Sequence, residues 1–182
     1  MATGEVRIVG GRWRRSKLPV AERAGLRPTP DRVRETLFNW LGQDLTGWRV
    51  LDAFAGSGAL GFEAASRGAA EVVLLEREPA LCRSLEASRL RLGGDTMRIE
   101  CGDALTWMAR AAHAAFDLVL LDPPFGSGLL ATAVAAALPL ATPGGWLYVE
   151  SGEPLAELPD GLASHRRLTA GAVHAQLLRR LD

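Results

Sequence analysis

The chain reads as a doubly wound α/β domain with a mostly parallel sheet, helices on both faces and an antiparallel strand at one edge. Three observations predict it. From Trp48 onward, short apolar runs alternate with helical segments, a glycine-rich stretch follows the first run, and no repeat or low-complexity linker interrupts the series. The strand-like runs are RVLDAF, EVVLLE, MRIE, FDLVLLD and WLYVES, separated by ALGFEAASR, EPALCRSLEASRLRLG, DALTWMARAAH and LLATAVAAAL. Runs this apolar are buried on both faces, as in a parallel sheet. The tail, HRRLT then VHAQLLRRL, has no helix between its halves and therefore adds at an edge. Ahead of the core, residues 1–28 hold short β-like pieces (VRIVG, KLPV) broken by Gly10, Gly11, Pro19 and Pro28. They are expected to form a hairpin or arm outside the main core, with 29–182 as the compact domain. Thr29-Pro30-Asp31 predicts a helix start, with a capping Thr, Pro at the first helical position and an acid in the first turn. Val33, Leu37, Trp40 and Leu41 share that helix's buried face, leaving Arg32, Arg34 and Glu35 on its surface.

A chain of 182 residues that is 48% hydrophobic can bury a full core. No apolar run reaches membrane-spanning length, and the first residues lack a signal peptide's apolar segment, so a cytoplasmic monomer is the expectation. Cys82 and Cys101 offer neither metal spacing nor a disulfide framework and are expected to be small buried hydrophobes. His113, His165 and His174 stand isolated, and no metal is expected. The net charge of zero hides an asymmetry: residues 1–35 carry nine Lys/Arg against four Asp/Glu, and the remainder carries twelve against seventeen. A basic segment on an acidic domain points to a polyanionic partner.

Four successive units each place an acid at a strand's carboxyl end: Asp52, Glu76, Asp103 and Asp122. In open α/β sheets that is where ligands bind. Between the first strand and its helix, DAFAGSGALG supplies Gly56, Gly58 and Gly61, a G-x-G-x-x-G spacing that alone is weak. A dinucleotide is disfavoured, because Asp52 would confront its pyrophosphate with no basic residue nearby in sequence. S-adenosylmethionine suits the set better. Asp52 would face its amino acid end, Glu76 its ribose hydroxyls and Asp103 its adenine amine, with glycines admitting close backbone approach. Glu78 is expected to open the next helix, although it could exchange roles with Glu76.

The run LLDPPFG adds the chemistry. An amine conjugated to a base or amide is a poor nucleophile because its lone pair is delocalised. Two acceptors on its N–H groups can pyramidalise the nitrogen and aim that lone pair at a methyl carbon. Asp122 supplies one acceptor and the Pro123 carbonyl the other, Pro123 and Pro124 restrict the loop, and Phe125 can stack on a base. As a plain reading, the same run is a rigid loop after a buried strand.

RIVGGRWR, LRPTPDRVRETLFNWL, DAFAGSGALGFEA, LLDPPF and LYVES together resemble the RsmD-type methyltransferases over nearly the whole length. The resemblance implies a Rossmann-like class I methyltransferase fold and methylation of guanine N2 in small-subunit (16S) ribosomal RNA. It implies catalytic residues Asp122, Pro123, Pro124 and Phe125. Cofactor binding would fall to Asp52, Phe54, Gly56, Gly58, Glu76, Asp103, Ala104 and Asp122. Arg27, Thr29, Arg32, Arg34 and Glu35 would lie beside cofactor and target base, with Arg7, Arg12, Arg14, Arg15 and Lys17 on RNA. Those contacts would be made to phosphate and carry little base readout, so site choice would depend on a shaped substrate such as an assembled subunit. Three rivals stand: an adenine N6 methyltransferase on DNA, a ribosome-assembly RNA-binding module without activity, and a nicotinamide-dependent dehydrogenase.

Overall fold

A computed structural model describes residues 4–21 and 28–182. Strands β1 (Gly4–Arg7) and β2 (Lys17–Val20) form an antiparallel hairpin. Then come α1 (Asp31–Trp40), β3 (Arg49–Asp52), α2 (Ala59–Ser66), β4 (Glu71–Glu76), α3 (Pro79–Leu92), β5 (Met97–Cys101), α4 (Ala104–Met108), β6 (Phe116–Leu121), α5 (Leu130–Ala137), β7 (Ala141–Ser151), β8 (Leu162–Ala170) and β9 (Val173–Arg180). The main sheet has seven strands in the order β5-β4-β3-β6-β7-β9-β8. Strands β3 to β7 run parallel, and the tail adds beside β7 as an antiparallel hairpin, with β9 next to β7 and β8 outermost.

Alternate residues of the central strands feed two cores. Val50, Val72, Leu74, Leu118, Leu120 and Tyr148 pack on the face covered by α1 and α2, while Leu51, Val73, Val119, Leu121 and Val149 face α4 and α5. The chain moves outward from β3 to β5, then returns to lay β6 on the other side of β3. That reversal makes the gap beyond β3 and β6 the topological switch point.

Three expectations need correction. The hairpin does not lie outside the core: Val6, Ile8, Trp13, Leu18 and Val20 are buried in the same cluster as α1 and α2. Thr29 caps nothing. Pro30 precedes the helix without a side-chain cap, and the Thr29 hydroxyl donates to Glu150 Oε2 at 2.9 Å. Arg34 does not reach the surface, being 0% exposed. Its guanidinium meets Glu63 Oε2 at 3.0 Å, the Arg7 carbonyl at 2.8 Å, the Thr29 carbonyl at 3.2 Å and the Asp31 carboxylate. Glu63, also buried, accepts the Val9 and Gly10 N–H groups and pairs with Arg67 at 3.1 Å. This Arg34–Glu63–Arg67 group fastens hairpin, α1 and α2 together, and a carboxylate shared by two cations answers the cost of burying all three charges.

The cysteines also depart from expectation. Cys82, in the first turn of α3, and Cys101, ending β5, are joined as a disulfide with Cα atoms 5.9 Å apart. The β4–α3–β5 crossover brings them together by returning the chain along the neighbouring strand, and Cys101 is exposed rather than buried.

Candidate active site

Across the carboxyl edge of the sheet the acids stand in spatial order Asp103, Glu76, Asp52, Asp122 and Glu150. The four expected from the sequence are brought together, and Glu150, which sequence reasoning missed, makes a fifth. Because Leu121 pairs with Val149 in register, Asp122 and Glu150 follow side by side, on the sheet face that also carries Tyr148 and Leu120.

Asp52 is 1% exposed, and its Oδ2 accepts the Gly61 N–H at 2.9 Å. Burial pushes its pKa up to about 7, the Gly61 and Phe54 N–H groups oppose the rise, and Glu76 adds to it. Glu76 accepts the Gly56 N–H on Oε2 and the Glu78 N–H on Oε1, both at 2.9 Å, so it holds the glycine loop against the start of α3. Glu78 stands at the N-cap position of α3, with Pro79 opening the helix. Gly58 has φ 82°, and a Cβ there would stand 2.6 Å from Leu85 Cδ2, so only glycine lets the loop turn so tightly. Asp103 caps α4, its Oδ1 accepting the Thr106 N–H and hydroxyl at 2.8 Å, which lowers its pKa. Ala104 is buried directly behind it.

Asp122 differs from its neighbours. No described residue donates a hydrogen bond to its carboxyl or forms an ion pair with it, and burial, then Glu150, then Asp52, raise its pKa well above the usual range. Pro123 is buried and Pro124 exposed, and Ser127 N–H closes the loop on the Pro124 carbonyl at 3.2 Å. Phe125 is 49% exposed. It packs beside Gly152, where a Cβ would come within 3.3 Å of its ring. Glu150 is 3% exposed and its Oε2 accepts both the Thr29 hydroxyl and the Tyr148 hydroxyl, the latter at 3.0 Å. Burial raises its pKa, while Thr29, Tyr148 and then Arg34 hold it down. Thr29 is itself buried, and it reaches the site through Glu150.

The basic residues sort by surroundings. Arg7, Arg12, Arg14, Arg15, Lys17 and Arg32 are exposed. Lys17 pairs with Glu5 at 2.7 Å, and Arg12 lies over the Trp13 ring at 4.3 Å. Arg27 lies outside the described residues.

Two buried carboxyls, Asp52 and Glu150, flank the half-buried Asp122 on adjacent strand ends, and with no cation among the described residues paired to Asp52 or Asp122 the set fits a positively charged ligand. A glycine loop suited to close approach lies beside them. The donor set thus matches S-adenosylmethionine, which carries both an ammonium and a sulfonium. Fold and site together define a class: Rossmann-like class I methyltransferases.

Comparison with known proteins narrows it. The family described as Conserved hypothetical protein 95 matches residues 6–179. Ribosomal RNA small subunit methyltransferase D of Escherichia coli K12 is 41% identical, over 98% of this chain and 91% of that protein. The protein of the same name from Haemophilus influenzae is 38% identical, over 97% and 94%. The solved Escherichia coli yhhF structure superposes with a TM-score of 0.88 at 37% identity, covering 98% of this chain and 99% of that one. The chain belongs to the RsmD-type family of small-subunit ribosomal RNA methyltransferases.

Proposed function

We propose that the protein transfers the methyl group of S-adenosylmethionine to the exocyclic N2 amine of a guanine in 16S ribosomal RNA. The substrate is an assembled or partly assembled small subunit in the cytoplasm. The observation that carries this reading is an unengaged Asp122 carboxyl on a proline-restricted loop at the topological switch point, in a chain 41% identical to a small-subunit ribosomal RNA methyltransferase.

Asp52, Glu76 and Asp103 would hold the cofactor's amino acid end, ribose and adenine, with Phe54, Gly56, Gly58 and Ala104 shaping the walls. Bound there, the cofactor supplies an electrophilic methyl carbon. A cation beside Asp52 and Asp122 draws both carboxyls toward their charged forms. Asp122 then accepts one amine hydrogen and the Pro123 carbonyl the other, while Phe125 stacks on the base. Held by these two acceptors, the nitrogen lone pair would be aimed at the methyl group that the cofactor would supply. The amine proton in excess after transfer would be acidic enough to pass to solvent water without a strong base. Glu150, held by Thr29 and Tyr148, walls the Asp122 side of the pocket and places a second negative charge behind it. Arg7, Arg12, Arg14, Arg15, Lys17, Arg27 and Arg32 would meet phosphates. Arg34 acts from the interior by setting the hairpin and Thr29.

The test is Asp122→Ala. Methyl transfer to small subunits should be abolished, while affinity for rRNA stays near wild type. A comparable loss of RNA affinity would make Asp122 a structural residue.

A further inference from the structure

RIVGGRWR and LRPTPDRVRETLFNWL, the amino-terminal segments that carry the family resemblance, contribute little to the row of acids. They converge instead on a cavity of about 450 Å³ lined by Gly10, Gly11, Arg14, Glu35, Asn39 and Gln43, with Arg67 in its wall. Such a volume falls within the roughly 300–1,000 Å³ of small-molecule sites. The cavity lies toward the far end of α1 from Thr29. Asn39 is ten residues further on, about 15 Å along a helix rising 1.5 Å per residue.

The walls are fixed. A Cβ on Gly11 would stand 1.9 Å from the Ser66 carbonyl oxygen, so the hairpin turn is seated on the end of α2. Arg67 is held by Glu63 and lies 4.7 Å over the Phe38 ring. Gln43 adopts a left-handed conformation (φ 67°), its N–H donating to the Phe38 carbonyl at 2.8 Å. Its side chain donates to Asn39 Oδ1 at 3.0 Å, leaving the Asn39 amide hydrogens and the Gln43 carbonyl oxygen unused. The Glu35 carboxylate and the Arg14 guanidinium have no ion pair or hydrogen bond among the described residues.

One free carboxylate, two carboxamides and a free guanidinium suit an object that offers donors, acceptors and a negative charge at once. A bare phosphate would be repelled by Glu35, and an apolar segment would leave every one of these groups unmet. An RNA nucleotide presents all three features. We propose that this cavity holds one unpaired nucleotide of the substrate RNA, whose base carries an exocyclic amine. The amine meets Glu35, the rest of the base edge meets Asn39 and Gln43, and the phosphate meets Arg14. This inference rests on the reading of the chain as an RNA methyltransferase. It adds a second base-reading site, so the RNA is gripped at both ends of α1 and the hairpin reads sequence as well as phosphate.

The test compares Glu35→Ala and Asn39→Ala, both on the exposed face of α1, with wild type. Measured are affinity for protein-free rRNA and for small subunits, S-adenosylhomocysteine affinity, and Tm. Each substitution should weaken both RNA affinities about tenfold, leaving cofactor affinity and Tm unchanged. Should an alanine variant melt lower, Glu35→Gln, which keeps the shape and removes the charge, takes its place. Wild-type RNA affinity in the variants overturns the proposal. So does a loss confined to assembled subunits, which would mark a contact with ribosomal protein. Methyl transfer by the wild-type protein is followed in parallel. A failed pocket leaves that transfer intact, whereas absent transfer with RNA affinity still lost in the variants leaves the pocket standing and removes the catalytic reading.

Discussion

Asp52, Asp122 and Glu150 all have pKa values raised above the ordinary carboxylate range, Asp52 to about 7. A carboxyl that binds protons more tightly folded than unfolded stabilises the fold fully below its unfolded pKa. That stability is lost as pH rises through the folded value. The cofactor-free protein should therefore melt at progressively lower temperature between about pH 4 and pH 7, and Asp52→Asn should flatten the slope. A cationic ligand reverses the balance, so the rise in Tm on adding S-adenosylmethionine should grow with pH. A ligand-induced shift independent of pH would remove the carboxyls from cofactor binding. Glu150→Gln tests the neighbour that sequence reasoning missed. It keeps the Thr29 and Tyr148 geometry but removes a charge, so kcat should fall while S-adenosylhomocysteine affinity holds, and unchanged kcat would reduce Glu150 to packing. Asp52, Glu76, Asp103 and Asp122 were legible because each follows an apolar run at a fixed place. Glu150 was not, since its meaning depends on the β6–β7 register and on a hydroxyl 121 residues away in sequence.

At the scale of elements, the hairpin is a structural part as well as a basic one. Removing Glu63 alone, as in Glu63→Ala, leaves Arg67 without its counter-charge and Arg34 with only the exposed Asp31, and should cost about 3–5 kcal/mol of stability, read by denaturant unfolding. Arg34→Met combined with Glu63→Leu should cost clearly less than the sum of the two single changes. Additivity would mean that the pair is not coupled. The strands and helices from β3 to β7 were readable because periodicity and length report them locally. Arg34 misled because an arginine among arginines on an amphipathic helix looks solvated, and its true partner lies on another helix 29 residues away. The hairpin misled for a related reason. Val6, Ile8, Trp13 and Leu18 lie in short pieces broken by glycine and proline, and the residues that bury them come from α1 and α2 further along the chain. The cysteine pair became visible only once the crossover had placed α3 against β5.

For the whole molecule, charge and topology agree. The sheet reversal gathers the acids at one edge, and the basic hairpin packs in the same core as α1 and α2. RNA affinity should fall steeply with salt, and replacing Arg14 or Arg15 by alanine should reduce the slope of log K against log salt by about one each. An unchanged slope would place the RNA elsewhere, for instance along Arg166 and Arg167 of β8. Labelled methyl from S-adenosylmethionine can be followed into unmodified small ribosomal subunits, protein-free 16S rRNA and duplex DNA in parallel, with products digested to nucleosides. N2-methylguanosine is expected from the subunits, formed more efficiently than from protein-free RNA. N6-methyladenine from DNA, or no methylated nucleoside from the subunits despite cofactor binding, would contradict the proposed function.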